Sequence, residues 1–153
     1  MTLMLGQTAP AFTLPADGGS TVSVPAKGRK TVLYFYPKDD TSGCTKEAIA
    51  FNALKPAFEA ANADIVGMSA DSVASHDKFK RKYDLGFRLV SDEEKSVLEA
   101  YGVWVEKSMY GRNYMGIERT TVLIDEKGKI AALWSKVKVD GHAEEVLEAA
   151  RGL

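Results

Sequence analysis

The chain has 153 residues, with 20 lysines and arginines against 21 acidic residues, 45% hydrophobic content and one cysteine. This length buries a core without staples, and a net charge of −1 gives no field for nucleic acid or an anionic membrane. A lone thiol excludes a disulfide scaffold and fits a reducing compartment, and no apolar run approaches the ~20 residues of a membrane span. Residues 1–10 lack the basic start and apolar core of a signal peptide, so one cytoplasmic domain over residues 1–153 is expected.

In chain order, residues 11–14 and 21–24 read as two short strands joined at Asp17-Gly18-Gly19, an N-terminal β-hairpin. Residues 31–36 form a nearly continuous apolar run, the pattern of a strand buried on both faces. Pro37 ends it, and a helix is expected over 44–61, bent or frayed near Pro56. Residues 65–69 are a second buried strand. A helix over 75–83 turns Phe79 and Tyr83 inward and Lys78, Lys80, Arg81 and Lys82 to solvent. A short strand at 87–90 precedes a helix over 93–101 capped by Ser91 or Asp92. Residues 104–115 lack periodicity and read as a loop. Strands at 120–124 and 130–134 pair through residues 125–128, and a helix over 141–151 turns Val146, Leu147 and Ala150 to the core. This order describes an α/β domain with a mixed sheet.

Cys44 falls at the junction between the first buried strand and the following helix, where α/β sheets place their sites. A helix N-terminus offers unpaired N–H groups and the positive end of the dipole, which favour a thiolate. An ordinary thiol ionises near ~8.5, so substantial activation needs a cation brought from elsewhere in the chain. The polar, Pro- and Gly-punctuated stretch before Cys44 argues against deep burial. His76 and His142 have no partners at metal-ligand spacing, so no metal site and no cofactor are expected. Tyr34 and Tyr36 read as sheet aromatics, Gly18 and Gly19 as a turn, and Glu47 as paired with a cation or solvated.

Pro37-x-x-x-Thr41-x-x-Cys44 resembles the active-site signature of the peroxiredoxins, thiol-dependent peroxidases of thioredoxin-like fold. The wider run from Phe35 to Ala48, with Asp71-x-x-x-Ser75-His76-x-x-Phe79, Leu89-Val90-Ser91-Asp92 and Gly116-Ile117-Glu118-Arg119-Thr120-Thr121, is similar to the bacterioferritin comigratory protein branch, PrxQ. The resemblance implies that Cys44 is the peroxidatic nucleophile and that Thr41 hydrogen-bonds the peroxide oxygens. It also implies that Pro37 shields the sulfur and that Arg119 is the distant cation. Arg112, in a glycine-bearing stretch, is the weaker cation candidate.

Many members of that branch carry a resolving cysteine five residues after the first, where this chain has Ile49. The departure implies a one-cysteine cycle in which an external thiol (thioredoxin, glutaredoxin or glutathione) regenerates a sulfenic acid, overoxidation competes at high peroxide, and the first helix stays folded. Hydrogen peroxide and organic hydroperoxides are the expected substrates, and a monomer or weak homodimer the expected assembly. The competing reading is a redox-sensing or binding module of the same fold. A thioredoxin-type oxidoreductase is disfavoured, because the place of its first cysteine is held by Thr41.

Overall fold

The computed structural model describes residues 3–153. Strand β3 (Lys30–Phe35) is buried along its whole length, as its apolar run requires, and lies at the centre of a five-stranded sheet. It pairs in parallel with β4 (Ala63–Ser69), which pairs in parallel with β5 (Arg88–Ser91). On its other side it runs antiparallel to β8 (Thr120–Ile124), and β8 antiparallel to β9 (Ile130–Trp134). The predicted mixed sheet and its thioredoxin-like arrangement are thus observed. The hairpin of β1 (Phe12–Pro15) and β2 (Thr21–Val24) stands apart as its own two-stranded sheet.

The period-2 alternation of β3 splits the core in two. Val32, Tyr34 and Tyr36 face Ala48 and Phe51 of α1 (Ser42–Ala53), Phe58 of α2 (Lys55–Ala60), Phe79 of α3 (Val73–Tyr83), and Val146 and Ala150 of α5 (His142–Arg151). Leu33 and Phe35 face the other way, toward Phe12, Val24 and Leu98 of α4 (Ser96–Ala100). Burying Tyr34, Phe35, Phe51 and Phe58 completely contributes on the order of 2 kcal/mol each.

Three expectations change. The single helix over 44–61 is two, because Leu54 leaves helical geometry (φ −97°, ψ 3°) and Pro56 sits in the first turn of α2, where its missing N–H costs nothing. The helix over 93–101 shortens to α4, although Asp92 still serves it by accepting the Leu98 amide at 2.8 Å. The loop at 104–115 is a hairpin, β6 (Trp104–Met109) paired with β7 (Arg112–Ile117). The basic face of α3 is solvated as expected at Lys78, Arg81 and Lys82, and Lys80 alone is half-buried, pairing with Asp17 at 2.6 Å.

Candidate active site

Tyr36 closes the buried run, and residues 37–41 cross the end of the sheet to reach α1. Thr41 is the N-cap (φ −91°, ψ 157°), which makes Cys44 the third helical residue. The first intrahelical bond runs from Thr45 N to Thr41 O at 2.8 Å, so the amides of Ser42, Gly43 and Cys44 have no carbonyl a turn behind them. The thiol therefore sits in the positive field of the helix N-terminus.

Arg119 arrives from the link between β7 and β8. Its carbonyl accepts the Val137 amide at 3.0 Å, and the neighbouring Glu118 amide donates to Val103 O at 2.8 Å, which fixes the backbone on both sides. The guanidinium forks: one N–H donates to Glu47 Oε1 at 2.6 Å, another to Cys44 Sγ at 3.4 Å. Gly43 permits the approach, since a Cβ there would lie 3.2 Å from Nη2. The expectation that Cys44 escapes deep burial is corrected: it is 2% exposed, packed into the cluster of Tyr34, Tyr36, Ala48 and Phe51 with Arg119 beside its sulfur.

Burial pushes the Glu47 carboxyl up to about 7, against the opposing pull of the Arg119 charge and hydrogen bond. Burial also works against the Arg119 charge, but Glu47 and Cys44 outweigh it and lift Arg119 further above the ordinary arginine value. The Tyr34 phenol, buried and near Glu47 and Cys44, is raised well above its usual range, so it stays neutral. Its hydroxyl and Glu47 Oε2 have no hydrogen-bond partner among the described residues. Lys107 lays its aliphatic stem across Gly116, and burial followed by the Arg119 charge lowers its pKa.

The structure thus joins Cys44 with Arg119 and adds Glu47, which the sequence left as paired or solvated. Three residues after Cys44, Glu47 shares its helix face, and that spacing was the available signal. Thr41 and Pro37 are exposed on the adjoining loop, and the Thr41 hydroxyl donates to Lys38 O at 2.8 Å rather than capping α1. Arg112 is exposed at the start of β7, paired in register with Met109. Ile49 is 48% exposed. His142 shares a hydrogen bond with the Thr121 hydroxyl at 2.8 Å.

His76 enters a buried network that the sequence did not reveal. Asp39, Asp71 and His76 bring one potential ligand atom each within 4.8 Å of one another. Those atoms already have partners: Tyr36 and Ser75 donate to the Asp39 carboxylate, and Ser69 and the Asp39 amide to Asp71. The cluster is a hydrogen-bond network around the loop that leads to Cys44.

Residues 5–133 match the AhpC/TSA family. A putative peroxiredoxin bcp of Coxiella burnetii is 53% identical over 96% of this chain and 98% of its own length. A crystal structure of a Xylella fastidiosa PrxQ variant superposes with a TM-score of 0.93 at 40% identity, over 99% of this chain and 98% of that one. The bacterioferritin comigratory protein of Xanthomonas campestris superposes at 0.88 with 46% identity, over 92% of this chain and 90% of that one. The chain belongs to the AhpC/TSA family and is a peroxiredoxin of the Bcp/PrxQ branch, a thiol-dependent peroxidase.

Proposed function

We propose that this peroxiredoxin is a one-cysteine enzyme with Cys44 as its nucleophile. The supporting observation is the 3.4 Å hydrogen bond from Arg119 to Cys44 Sγ at a helix N-terminus, in a chain with no second cysteine. The thiolate attacks one peroxide oxygen and the O–O bond breaks. Sulfur is oxidised to the sulfenic acid, and the leaving oxygen takes a proton to depart as water or an alcohol. Negative charge builds on that leaving oxygen, and a preorganised guanidinium beside it is the largest expected catalytic contribution. Thr41 and Pro37 line the approach: Thr41 offers its hydroxyl to the peroxide, and Pro37 limits access to the sulfur.

An external thiol then displaces water from the sulfenic sulfur to form a mixed disulfide. A second thiol releases Cys44 and leaves as the oxidised disulfide. Glutathione, glutaredoxin and thioredoxin are the candidate reductants. Organic hydroperoxides join hydrogen peroxide as substrates, in line with the alkyl peroxide reduction activity described for the Xanthomonas campestris protein. The chain acts as one domain, a monomer or weak homodimer, in the cytoplasm.

Stopped-flow fluorescence of the reduced protein with hydrogen peroxide, beside Cys44→Ser, tests the nucleophile. A fast phase linear in peroxide and absent from the variant is expected, and a rate no better than that of a free thiol would overturn it. Turnover with each reductant, with mass detection of a mixed disulfide at Cys44, tests the one-cysteine cycle.

A further inference from the structure

The loop of residues 37–41 carries Pro37 and Thr41, and its centre is Asp39, 8% exposed and five residues before Cys44. Asp39 is held from every side. Tyr36, at the end of β3, donates its phenol to Asp39 Oδ1 at 2.6 Å, a side-chain link that spans Pro37. Ser75 of α3 donates to Oδ2 at 2.8 Å, and His76 Nδ1 lies 2.7 Å from the same oxygen. The Asp39 amide donates to Asp71 Oδ2 at 2.9 Å, just past β4. Its neighbour Asp40, at φ 57°, accepts from Lys82 at 2.8 Å and from Tyr83 at 2.6 Å.

The other nitrogen of His76 decides the protonation of this cluster. Nε2 faces the Val90 carbonyl of β5 at 2.9 Å, and a carbonyl only accepts, so Nε2 carries a proton. Neutral His76 would then turn the bare lone pair of Nδ1 toward a carboxylate oxygen at 2.7 Å. The contact is attractive only when a second proton lies between the two atoms, as in an imidazolium–carboxylate pair with no solvent exposure at His76.

We propose that Asp39 and His76 form a proton-dependent clamp, a positioning pair that holds the loop of Pro37 and Thr41 in the geometry Cys44 requires. The inference rests on the reading of Cys44 as nucleophile. Burial opposes the His76 charge, but Asp39, the Val90 carbonyl and Asp71 outweigh it and raise the imidazole above its ordinary value. The clamp's contribution is complete below the ordinary imidazole value and is lost as pH rises through the raised value of the folded chain. The charged and titratable groups facing His76 are Asp39 from the loop, Asp71 just past β4 and the Tyr36 phenol just past β3. The phenol is itself held neutral, because burial and Asp39 raise its pKa well above the usual range.

Asp39→Asn separates this role from ordinary packing. The amide oxygen still accepts from Tyr36, while its NH₂ donates one hydrogen to a neutral Nδ1 and the other to the Ser75 hydroxyl. The network then closes without the extra proton. The expected result is a wild-type rate constant with hydrogen peroxide that falls about fivefold at high pH after the thiolate has formed. Asp39→Asn loses that alkaline fall, and Asp39→Ala is about tenfold slower throughout. Nitrogen-15 NMR of the two histidines reads the clamp in the unmodified protein: His76 carries protons on both nitrogens at neutral pH in the wild type and on Nε2 alone in Asp39→Asn. A neutral His76 in the wild type, an alkaline fall that persists in Asp39→Asn, or full activity in Asp39→Ala overturns the proposal. A wild type no faster than Cys44→Ser overturns the nucleophile reading itself, and the clamp's catalytic role with it.

Discussion

Gly43 leaves open the space through which Arg119 reaches the thiol: a Cβ on the glycine would lie 3.2 Å from Nη2. Alanine there asks the guanidinium to move a few tenths of an ångström. Its other nitrogen is tethered to Glu47 at 2.6 Å, so the displacement falls on the longer 3.4 Å contact to Cys44. Gly43→Ala is expected to slow the reaction with peroxide about tenfold. Stability should hold or rise by up to about 1 kcal/mol, because alanine is the better helix former. Stopped-flow rates and urea denaturation of the same sample check both, and an unchanged rate would mean the guanidinium has another way to yield.

Arg119→Lys keeps the charge but loses the fork. A lysine ammonium is a point donor on a flexible stem, and it cannot reproduce two fixed N–H directions, one to Glu47 and one to Sγ. Loss of one preorganised donor in such a site costs about 100-fold or more in rate. The second-order rate constant with hydrogen peroxide is the measurement, and a loss below threefold would place the catalytic donor elsewhere.

The fold was legible where pattern and burial agree. The apolar run of β3, the 120–124 and 130–134 hairpin and the N-terminal hairpin were all visible, because their periodicities are local. The β6–β7 hairpin was not. It is exposed along much of its length, so alternation has little to report, and its turn places Tyr110 (φ 52°) and Gly111 (φ 75°) in the left-handed region. An Asn-Gly pair would have announced that turn; tyrosine at its first central position does not. At the site, the motif residues could be named in advance, but their supports could not. Glu47 meets a partner 72 positions away, and Asp39 meets His76 37 positions away. Only the folded chain sets those distances.

Glu47 makes stability depend on pH. Burial lifts its carboxyl from 4.5 to about 7, so the folded chain holds a proton that the unfolded chain releases over that interval. The contribution of the neutral carboxyl is complete below pH 4.5 and is lost as pH rises through about 7. At ~1.4 kcal/mol per unit, the loss reaches up to about 3 kcal/mol. Glu47→Gln keeps an oxygen for Arg119 and has no proton to lose. It should match the wild type in urea denaturation at low pH and exceed it at pH 8 by an amount of that order. Parallel pH dependences for the two proteins would show that Arg119 keeps Glu47 ionised throughout.

Ile49 lies five residues beyond Cys44 on an unbroken α1, half exposed. On a regular helix that separation is about 8–9 Å between Cα atoms, more than the ~7 Å a disulfide can span. A cysteine at this position reaches Cys44 only if the first turns of α1 unwind, which would release Glu47 from Arg119 and expose the face that holds Ala48 and Phe51. The wild-type chain has no reason to take that step. It should keep its helical circular dichroism through peroxide treatment, gaining one oxygen atom at Cys44 and then a second in excess peroxide, by mass. Ile49→Cys should instead lose two hydrogens on one equivalent of peroxide, with a fall in helical signal that reverses on reduction. If Ile49→Cys gains oxygen as the wild type does and forms no disulfide, then α1 does not unwind. Resolution within one chain would then require a weaker helix as well as a second thiol.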